Sequence, residues 1–255
     1  MLSNLINNVE SAETLINQFK KSMISVIIPL YNREKTIVKT LVSLEKQTYQ
    51  DFEVIIINDG STDNSEKVVA KYLGRSSSNI HFYFFNQKNQ GAPAARNRGL
   101  QTAKGEYLLF CDADASLEPQ ALEIMLSNLE ANPEISYTYS SFNWGKKLFK
   151  LDEFNPERLK KMPYIHSLSL IRRQDFPAEG WDVNIKKFQD WDLWLTMLAQ
   201  GKIGLWIPQV LFSISPGGTI SSWLPSFAYK LLPFLPAVKR YKRAMKIIKQ
   251  KHGLR

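Results

Sequence analysis

Apolar positions between residues 24 and 140 fall into two alternating patterns. Short runs rich in valine, isoleucine and phenylalanine stop at Asn, Gly or Pro, which is typical of buried strands. Between these runs, apolar residues recur every three or four positions, which indicates helices that pack through one face. The predicted strands are 24–30, 53–57, 80–85, 106–111 and 135–140, and the predicted helices are 33–47, one capped by Asp63 and holding Val69, Tyr72 and Leu73, 94–103 and 119–129.

Each predicted helix is long enough to carry the chain back across a sheet, so consecutive strands are expected to run parallel. This predicts an α/β fold with a Rossmann-like, mostly parallel and doubly wound sheet that helices cover on both faces. Sheets of this kind bind ligands beyond the carboxyl ends of their strands. Functional residues are therefore expected in the polar loops after the first, second and fourth strands.

The remaining chain predicts an extension at each end and an irregular, aromatic-rich second half with a helix at 190–199. Cys111 is the single cysteine, which excludes an intrachain disulfide and favours a reducing compartment. No uncharged apolar run is long enough to span a bilayer. The predicted regions are an N-terminal helical extension (1–22), a main domain (23–222, with halves 23–115 and 116–222) and a basic amphipathic tail (223–255).

The formal net charge of +9 comes from the tail alone. Residues 223–255 contain nine Lys or Arg and no acid, whereas the preceding residues carry 24 basic and 24 acidic groups. An apolar stripe beside dense basic charge predicts a helix lying on an anionic membrane surface. The alternative is a C-terminal helix packed on the domain with a solvated basic face. A nucleic-acid partner is not expected, because the rest of the chain is neutral and lacks a binding motif. The stripe consists of Val238, Tyr241, Met245 and Ile248.

The loop after the first strand reads Pro29-Leu30-Tyr31-Asn32 and contains no glycine. Dinucleotide-binding proteins, P-loop enzymes and sugar nucleotidyltransferases need a Gly-rich phosphate loop at this place, so these classes are disfavoured. Tyr31 at a strand end can stack on a flat base, although a tyrosine in a tight turn is the simpler interpretation.

The loop after the second strand places Asp59 directly behind a buried run and before Gly60. A carboxylate there can accept hydrogen bonds from a base N–H or a ribose hydroxyl, and glycine lets a ligand approach the backbone closely. The alternative is a turn that leads into the helix capped by Asp63.

Two acids, Asp112 and Asp114, follow the fourth strand at a spacing of two. Their mutual repulsion calls for a compensating cation, and hard oxygen ligands suit Mg²⁺ or Mn²⁺ together with substrate phosphates. Two solvated loop acids are the alternative. Upstream, Arg96 and Arg98 follow small residues at a predicted helix start, where one of the two can face phosphates and the other is expected to be structural. Asp190 begins the later helix, where it is either an N-cap or a base that projects into a cleft.

Taken together, these segments resemble the family 2 glycosyltransferases of the GT-A fold. The resemblance implies transfer of a sugar from a nucleotide diphosphate donor, usually with inversion at the anomeric carbon. It also assigns 23–115 to the nucleotide-sugar-binding half and 116–222 to the acceptor-side half. The matching segments are 25–32, 47–49, 52–63, 91–99, 105–114 and 190–195.

The resemblance implies a role for each candidate residue. Pro29, Tyr31 and Asp59 would hold the nucleotide base and ribose. Asn32 and Arg96 are further candidate contacts of the donor that the residues themselves suggest, with Arg96 at its phosphates. Asp112 would contact the ribose or the metal shell, Asp114 would bind Mg²⁺ or Mn²⁺, and Asp190 would be the base of the family's Glu-Asp pair.

Two positions depart from the family pattern. Asn58 stands where the family often has an acid, and Gln189 stands where the base pair usually has Glu. The loss of a neighbouring charge at position 189 is expected to lower the pKa of Asp190 relative to a Glu neighbour. The predicted function is transfer from a UDP-sugar to a glycan or lipid-linked acceptor by a cytoplasmic enzyme, peripheral at the inner face of the plasma membrane. The alternative is a non-catalytic sugar-nucleotide-binding protein on a decayed transferase fold.

Overall fold

The computed structural model describes residues 23–216 and 235–254. Predictions for the N-terminal extension and for residues 217–234 lie outside these ranges. The strands are β1 (Ile24–Leu30), β2 (Phe52–Asp59), β3 (His81–Gln87), β4 (Tyr107–Phe110), β5 (Ala115–Leu117), β6 (Tyr137–Trp144), β7 (Lys147–Phe149), β8 (Leu170–Arg172) and β9 (Gly204–Ile214). The helices are α1 (Ile37–Glu45), α2 (Ser65–Leu73), α3 (Ala92–Thr102), α4 (Ala121–Glu130), α5 (Pro156–Lys161), α6 (Gln189–Ala199) and α7 (Pro236–Lys251), with a 3-10 turn at Arg173–Asp175.

One sheet organises the described residues, in the order β3-β2-β1-β4-β8-β6-β9-β5, with β7 paired to β6. Strands β1 to β4 pair in parallel, and helices connect them, as predicted. The mostly parallel, doubly wound sheet is therefore confirmed. The predicted fifth strand, 135–140, is the start of β6.

An antiparallel strand interrupts the parallel order in the second half. β8 pairs antiparallel with both β4 and β6, so β6 runs in the direction of β4 without touching it. β8 is three residues long and lies in an irregular aromatic segment, too short to show a period-2 pattern. β5 and β7 are also antiparallel three-residue strands that the sequence pattern did not predict.

Both faces of the sheet are buried, which explains why the first strands are apolar throughout. In β1, Val26 and Ile28 face one core and Ile27 faces the other. Helix α3 lies close to β1 because Gly99 has no side chain. A Cβ there would come within 2.4 Å of Ile27 Cγ2. This close packing brings the residues of α3 near the carboxyl edge of the sheet.

Helix α7 packs on the domain. Val238 and Ile248 are fully buried, and the rings of Tyr241 and Phe188 lie 5.1 Å apart. Lys251 Nζ donates to the buried Asp192, with Nζ 2.8 Å from Oδ2. The packed helix is thus the alternative that the sequence analysis named, and the apolar stripe contacts protein rather than lying open to a headgroup layer. Within the described ranges, no helix is long and apolar enough to cross a membrane.

Candidate active site

The first loop is joined to the second by the side chain of Asn32. Its amide oxygen accepts from the backbone N–H of Thr62 at 2.8 Å and of Asp63 at 3.3 Å. Asn32 also adopts a left-handed backbone, with φ 52°, which asparagine tolerates better than most residues. Pro29 lies at the carboxyl end of β1, and the neighbouring Tyr31 is 45% exposed at the sheet edge. The nucleotide contacts predicted for these three residues stay predictions.

Asp59 is buried at the end of β2 and organises the loop that precedes α3. Its carboxylate accepts from Gln87 Nε2 at 2.8 Å and from the backbone N–H groups of Gln90 at 2.9 Å and Gly91 at 2.8 Å. A carboxylate has about four acceptor positions, so a nucleotide contact is compatible with these bonds and stays a prediction. The neighbouring Gly60 has φ 68°, and a Cβ there would lie 2.8 Å from the Asn89 nitrogen. Glycine is therefore required for this loop to close.

The amide of Asn58 has a structural use that the sequence did not indicate. Its Nδ2 donates to Asn86 Oδ1 at 2.8 Å, and its Oδ1 accepts from the Ser61 N–H at 3.1 Å. Asn58 therefore ties β2 to β3 and closes the turn. The predicted cap, Asp63, lies one residue before the cap position of α2. Asp63 accepts from the Ser65 N–H, whereas Asn64 occupies the cap position and makes no capping bond with its side chain.

Each acid of the Asp-x-Asp pair has its own cationic partner. Asp112 Oδ1 lies 3.0 Å from Arg96 Nη2, and Asp112 Oδ2 lies 3.7 Å from His166 Nε2. Asp114 Oδ2 lies 3.3 Å from Arg33 Nε. Burial and the nearby Asp112 outweigh the effect of Arg33 and raise the pKa of Asp114 to about 6. The two acids are therefore not simple solvated loop residues.

The donor set fits a divalent cation that takes its other ligands from elsewhere. Across residues 23–216 and 235–254, no group of three or more His, Cys, Asp and Glu side chains forms a complete metal site. Two nearby carboxylates, one of them with a pKa raised by burial and by the other acid, suit Mg²⁺ or Mn²⁺, which commonly combine one or two carboxylates with phosphates and water. The predicted metal contacts of Asp112 and Asp114 remain predictions on this basis.

Arg96 connects the acid pair to the start of α6. Its Nη1 donates to Gln189 Oε1 at 2.9 Å, and its guanidinium carbon lies 4.5 Å above the ring of Trp181. Asn97 holds Trp181 through both backbone groups, at 2.8 Å each. Arg96 is thus buried and fixed, and its contact with phosphates stays a prediction. Arg98 instead donates to the Asn86 carbonyl at the surface.

Asp190 lies in the first turn of α6 and does not cap it. The helix begins at Gln189 after Phe188, which takes a left-handed φ of 60°. Asp190 Oδ1 accepts from the next residue, the Trp191 N–H, at 2.9 Å. The N-cap interpretation of Asp190 is therefore wrong.

The surroundings of Asp190 shift its protonation. Burial raises the pKa of Asp190 above its ordinary value, and the nearby His166 and Arg96 oppose that rise. Asp190 as a whole residue is half-buried. Burial is the largest cause of its raised pKa, and the effect of Gln189 in place of Glu stays a prediction.

His166 is a site residue that the sequence did not reveal. Its ring lies between Phe142 and Phe212, with centroids 5.2 Å and 5.3 Å away. Nδ1 accepts from the Leu168 N–H at 3.0 Å, so the proton of the neutral ring lies on Nε2, which faces Asp112. Burial lowers the pKa of His166, which favours this neutral form. A lone histidine in an irregular segment carries no sequence signal of such a role.

The sequence profile described as "Glycosyl transferase family 2" matches residues 25–179. The chain belongs to this family. The matched range contains the first and second loops, Arg96, both acids of the Asp-x-Asp pair and His166, whereas Asp190 lies beyond it.

Curated relatives are longer proteins. An uncharacterized glycosyltransferase of Rickettsia conorii is 33% identical over 208 residues, which cover 76% of this chain and 32% of the relative. The chondroitin synthase of Pasteurella multocida is 30% identical over 195 residues, or 71% of this chain and 19% of the relative. The chain thus spans about a third or less of the length of these relatives.

Solved structures confirm the GT-A fold. Residues 1–349 of Staphylococcus aureus TarS in complex with UDP superpose with a TM-score of 0.64 at 18% identity, covering 91% of this chain and 67% of TarS. The mannosyltransferase PcManGT of Pyrobaculum calidifontis, in complex with GDP-Man and Mn²⁺, gives 0.64 at 17% identity over 90% and 68% of the two chains. At this identity the likeness concerns the fold.

Proposed function

We propose that this protein is an inverting glycosyltransferase that moves a sugar from a nucleotide diphosphate donor, a UDP-sugar first of all, to a hydroxyl of a glycan or lipid-linked acceptor. The observation that carries the proposal is the network of Arg96, which bonds both Asp112 and the Gln189 that precedes Asp190. This network connects Asp112 to the start of the helix that carries Asp190, which supports assigning the acid pair and the proposed base to one site. UDP has support from the TarS complex, although the mannosyltransferase complex contains a guanosine nucleotide.

In this proposal Asp190 takes the proton of the acceptor hydroxyl as that oxygen attacks the anomeric carbon. A raised pKa suits this role because it makes the carboxylate a stronger base than an ordinary aspartate. His166 directs its Nε2–H toward Asp112, and its lowered pKa favours the neutral ring. Asp114 and Asp112 would hold Mg²⁺ or Mn²⁺, which neutralises charge on the departing nucleotide diphosphate. Tyr31 would stack on the base, and Asp59 would bind it or the ribose.

The non-catalytic alternative is a binding protein that has lost transfer. Gln189 is the departure that favours it, but the structure uses the Gln189 amide as an acceptor for Arg96, a contact that keeps the site assembled. The binder and the enzyme differ in one measurable property, which is release of nucleotide diphosphate from the donor.

A nucleotide-sugar panel tests the proposal. Each sugar nucleotide is added with Mn²⁺ or with a chelator while thermal unfolding and nucleotide diphosphate release are measured. The enzyme is expected to be stabilised by one donor only with metal and to hydrolyse it slowly. Asp114→Asn should abolish both effects, and Glu179→Gln, an exposed acid, should change neither. If a donor stabilises the protein but no nucleotide diphosphate is released in the presence of acceptor glycans, the non-catalytic binding protein is favoured.

We propose further that the exposed face of α7 docks on an anionic membrane, making this a cytoplasmic enzyme peripheral at the inner face of the plasma membrane, where a lipid-linked acceptor lies. Four basic residues at its start are exposed, and Ile247 is 49% exposed beside them. Each basic residue near an anionic surface contributes about 1 kcal/mol. The basic residues are Lys239, Arg240, Lys242 and Arg243.

Vesicle flotation tests the membrane proposal. Removing the tail would also remove the core contacts of α7, so charge reversal is the better change. Lys242→Glu with Arg243→Glu should prevent flotation with anionic vesicles at low salt. Lys67→Glu with Lys71→Glu, an equal change on the exposed face of α2, should not. Equal flotation of the two variants would contradict the proposal.

A further inference from the structure

Two arginines neutralise the acid pair, and they are held very differently. Arg96 is 6% exposed and is fixed by Asp112, Gln189 and the ring of Trp181. Arg33 keeps 32% of its side chain exposed, and its head group contacts only Asp114 and the neighbouring Asn32 carbonyl among the described contacts. Arg33 can therefore leave its carboxylate by rotation of its own side chain, whereas Arg96 cannot without breaking the site.

The backbone of Arg33 does not depend on that ion pair. Its N–H donates to Ser65 Oγ at 2.7 Å, and the nearby Thr36 Oγ1 donates to the Ala113 carbonyl at 3.0 Å. The loop is therefore anchored between the second loop and the acid pair. The Arg33 side chain starts beside Tyr31 and Asn32, on the proposed nucleotide side, and ends at Asp114.

From this geometry we infer that Arg33 exchanges partners when donor binds. Without donor it occupies Asp114 in place of a divalent cation. With donor it turns to the diphosphate and releases the Asp114 carboxylate. A cation and a guanidinium on one carboxylate repel each other, so each weakens the binding of the other, and Arg33, unlike the fixed Arg96, can relieve this repulsion by moving away. A diphosphate offers the guanidinium a stronger, charge-assisted pair. The inference rests on the proposed function, because it names a residue for the donor of that same site.

The exchange predicts two effects of opposite sign in Arg33→Ala. Mn²⁺ alone should bind about two- to five-fold tighter, because a partly exposed competing ion pair is gone. UDP in the presence of saturating Mn²⁺ should bind about ten-fold more weakly, because a charge-assisted contact is lost. A purely structural role would weaken both or neither. Arg33→Lys, which keeps the charge, should recover part of the UDP affinity.

Calorimetry of the full chain with Mn²⁺ alone and then with UDP measures both affinities, and Arg98→Ala is the matched control for removal of a surface arginine. Opposite shifts in Arg33→Ala, absent from the control, support the exchange. Unchanged or parallel shifts overturn it while leaving the proposed function standing, provided that the wild-type chain binds UDP with Mn²⁺. A wild-type chain that binds neither would overturn the proposed function, and the exchange with it.

Discussion

The two halves of the main domain fix their site residues in different ways. In residues 23–115, backbone N–H groups hold the polar side chains at the strand ends: Asp59 accepts from two of them, and Asn32 accepts from two more. In residues 116–216, aromatic packing holds the site residues in place. His166 lies between two phenylalanines, and the turn after Asp190 is held by the buried Trp191 and Trp194.

This difference separates two kinds of site. The proposed nucleotide side (23–115) is built from loops at the carboxyl ends of adjacent parallel strands, so the place of its residues follows from the strand pattern. The proposed acceptor side (116–216) depends on contacts within irregular aromatic segments, such as that of Trp191 Nε1, which donates to the Leu159 carbonyl at 2.6 Å. We therefore expect changes on the acceptor side to affect transfer and stability while sparing donor binding.

The largest expected effect is on transfer, in Asp190→Asn. Loss of a general base lowers the rate by about 10²- to 10⁴-fold. UDP affinity and thermal stability should stay near those of the wild type, because Asp190 does not cap its helix and is proposed to contact the acceptor rather than the donor. In the wild type, transfer should fall as pH drops through the pKa of Asp190, which burial places above that of an ordinary aspartate. Calorimetry and a pH-rate profile test these expectations. Loss of UDP binding in Asp190→Asn would contradict the expected difference between the two halves of the domain.

The next effect is on stability, in Trp194→Ala. Trp194 stacks on Tyr137 at 4.4 Å, and its Nε1 donates to the Ile165 carbonyl at 3.0 Å. Removing it should lower the free energy of unfolding by about 3–5 kcal/mol. Ile56→Val, in the core of the nucleotide side, should lower it by about 0.5–1.5 kcal/mol. Urea unfolding measures both values, and equal costs would mean that the acceptor side does not depend on its aromatic core.

A smaller effect is expected in Asp192→Asn. The wild-type Asp192 side chain connects α6 to α7. Asp192 is buried and contacts both Lys251 Nζ and His252 Nε2 at 2.8 Å. The loss of charge should cost about 1–3 kcal/mol, because buried partners lose a charged acceptor. Asp182→Asn removes the more exposed partner of Lys251 and should cost at most about 1 kcal/mol. Hydrogen exchange of residues 236–251 should rise in the first variant and stay near that of the wild type in the second.

The smallest effect is expected in Asn58→Asp, which restores the acid common in the family. The new carboxylate keeps the bond from the Ser61 N–H but loses the donor to Asn86 Oδ1. One lost hydrogen bond costs about 0.5–1.5 kcal/mol, and UDP affinity should change little, because Asp59 is untouched. Thermal unfolding and calorimetry check this. A stabilised variant would show that Asn58 is not the tie between β2 and β3.

The sequence by itself determined the nucleotide side. The four parallel strands, the helices between them and the loops that carry Tyr31, Asp59 and Asp112 follow from apolar runs and turn residues, since each strand is joined to the next strand along the chain by one crossover. The placing of Asp190 on a helix also followed from periodicity. The family resemblance supplied the roles that periodicity leaves open.

Tertiary structure alone decided the partners of these residues. Arg96 bonds both Asp112 and Gln189, and Gln189 lies 93 positions after Arg96 in the chain. This contact depends on how α3 and α6 meet. The same holds for His166, for the insertion of β8 and for the contact of Asp192 with α7. Pairings across such distances arise from packing of irregular aromatic segments, in which no repeat of two or 3.6 residues marks which face is inward.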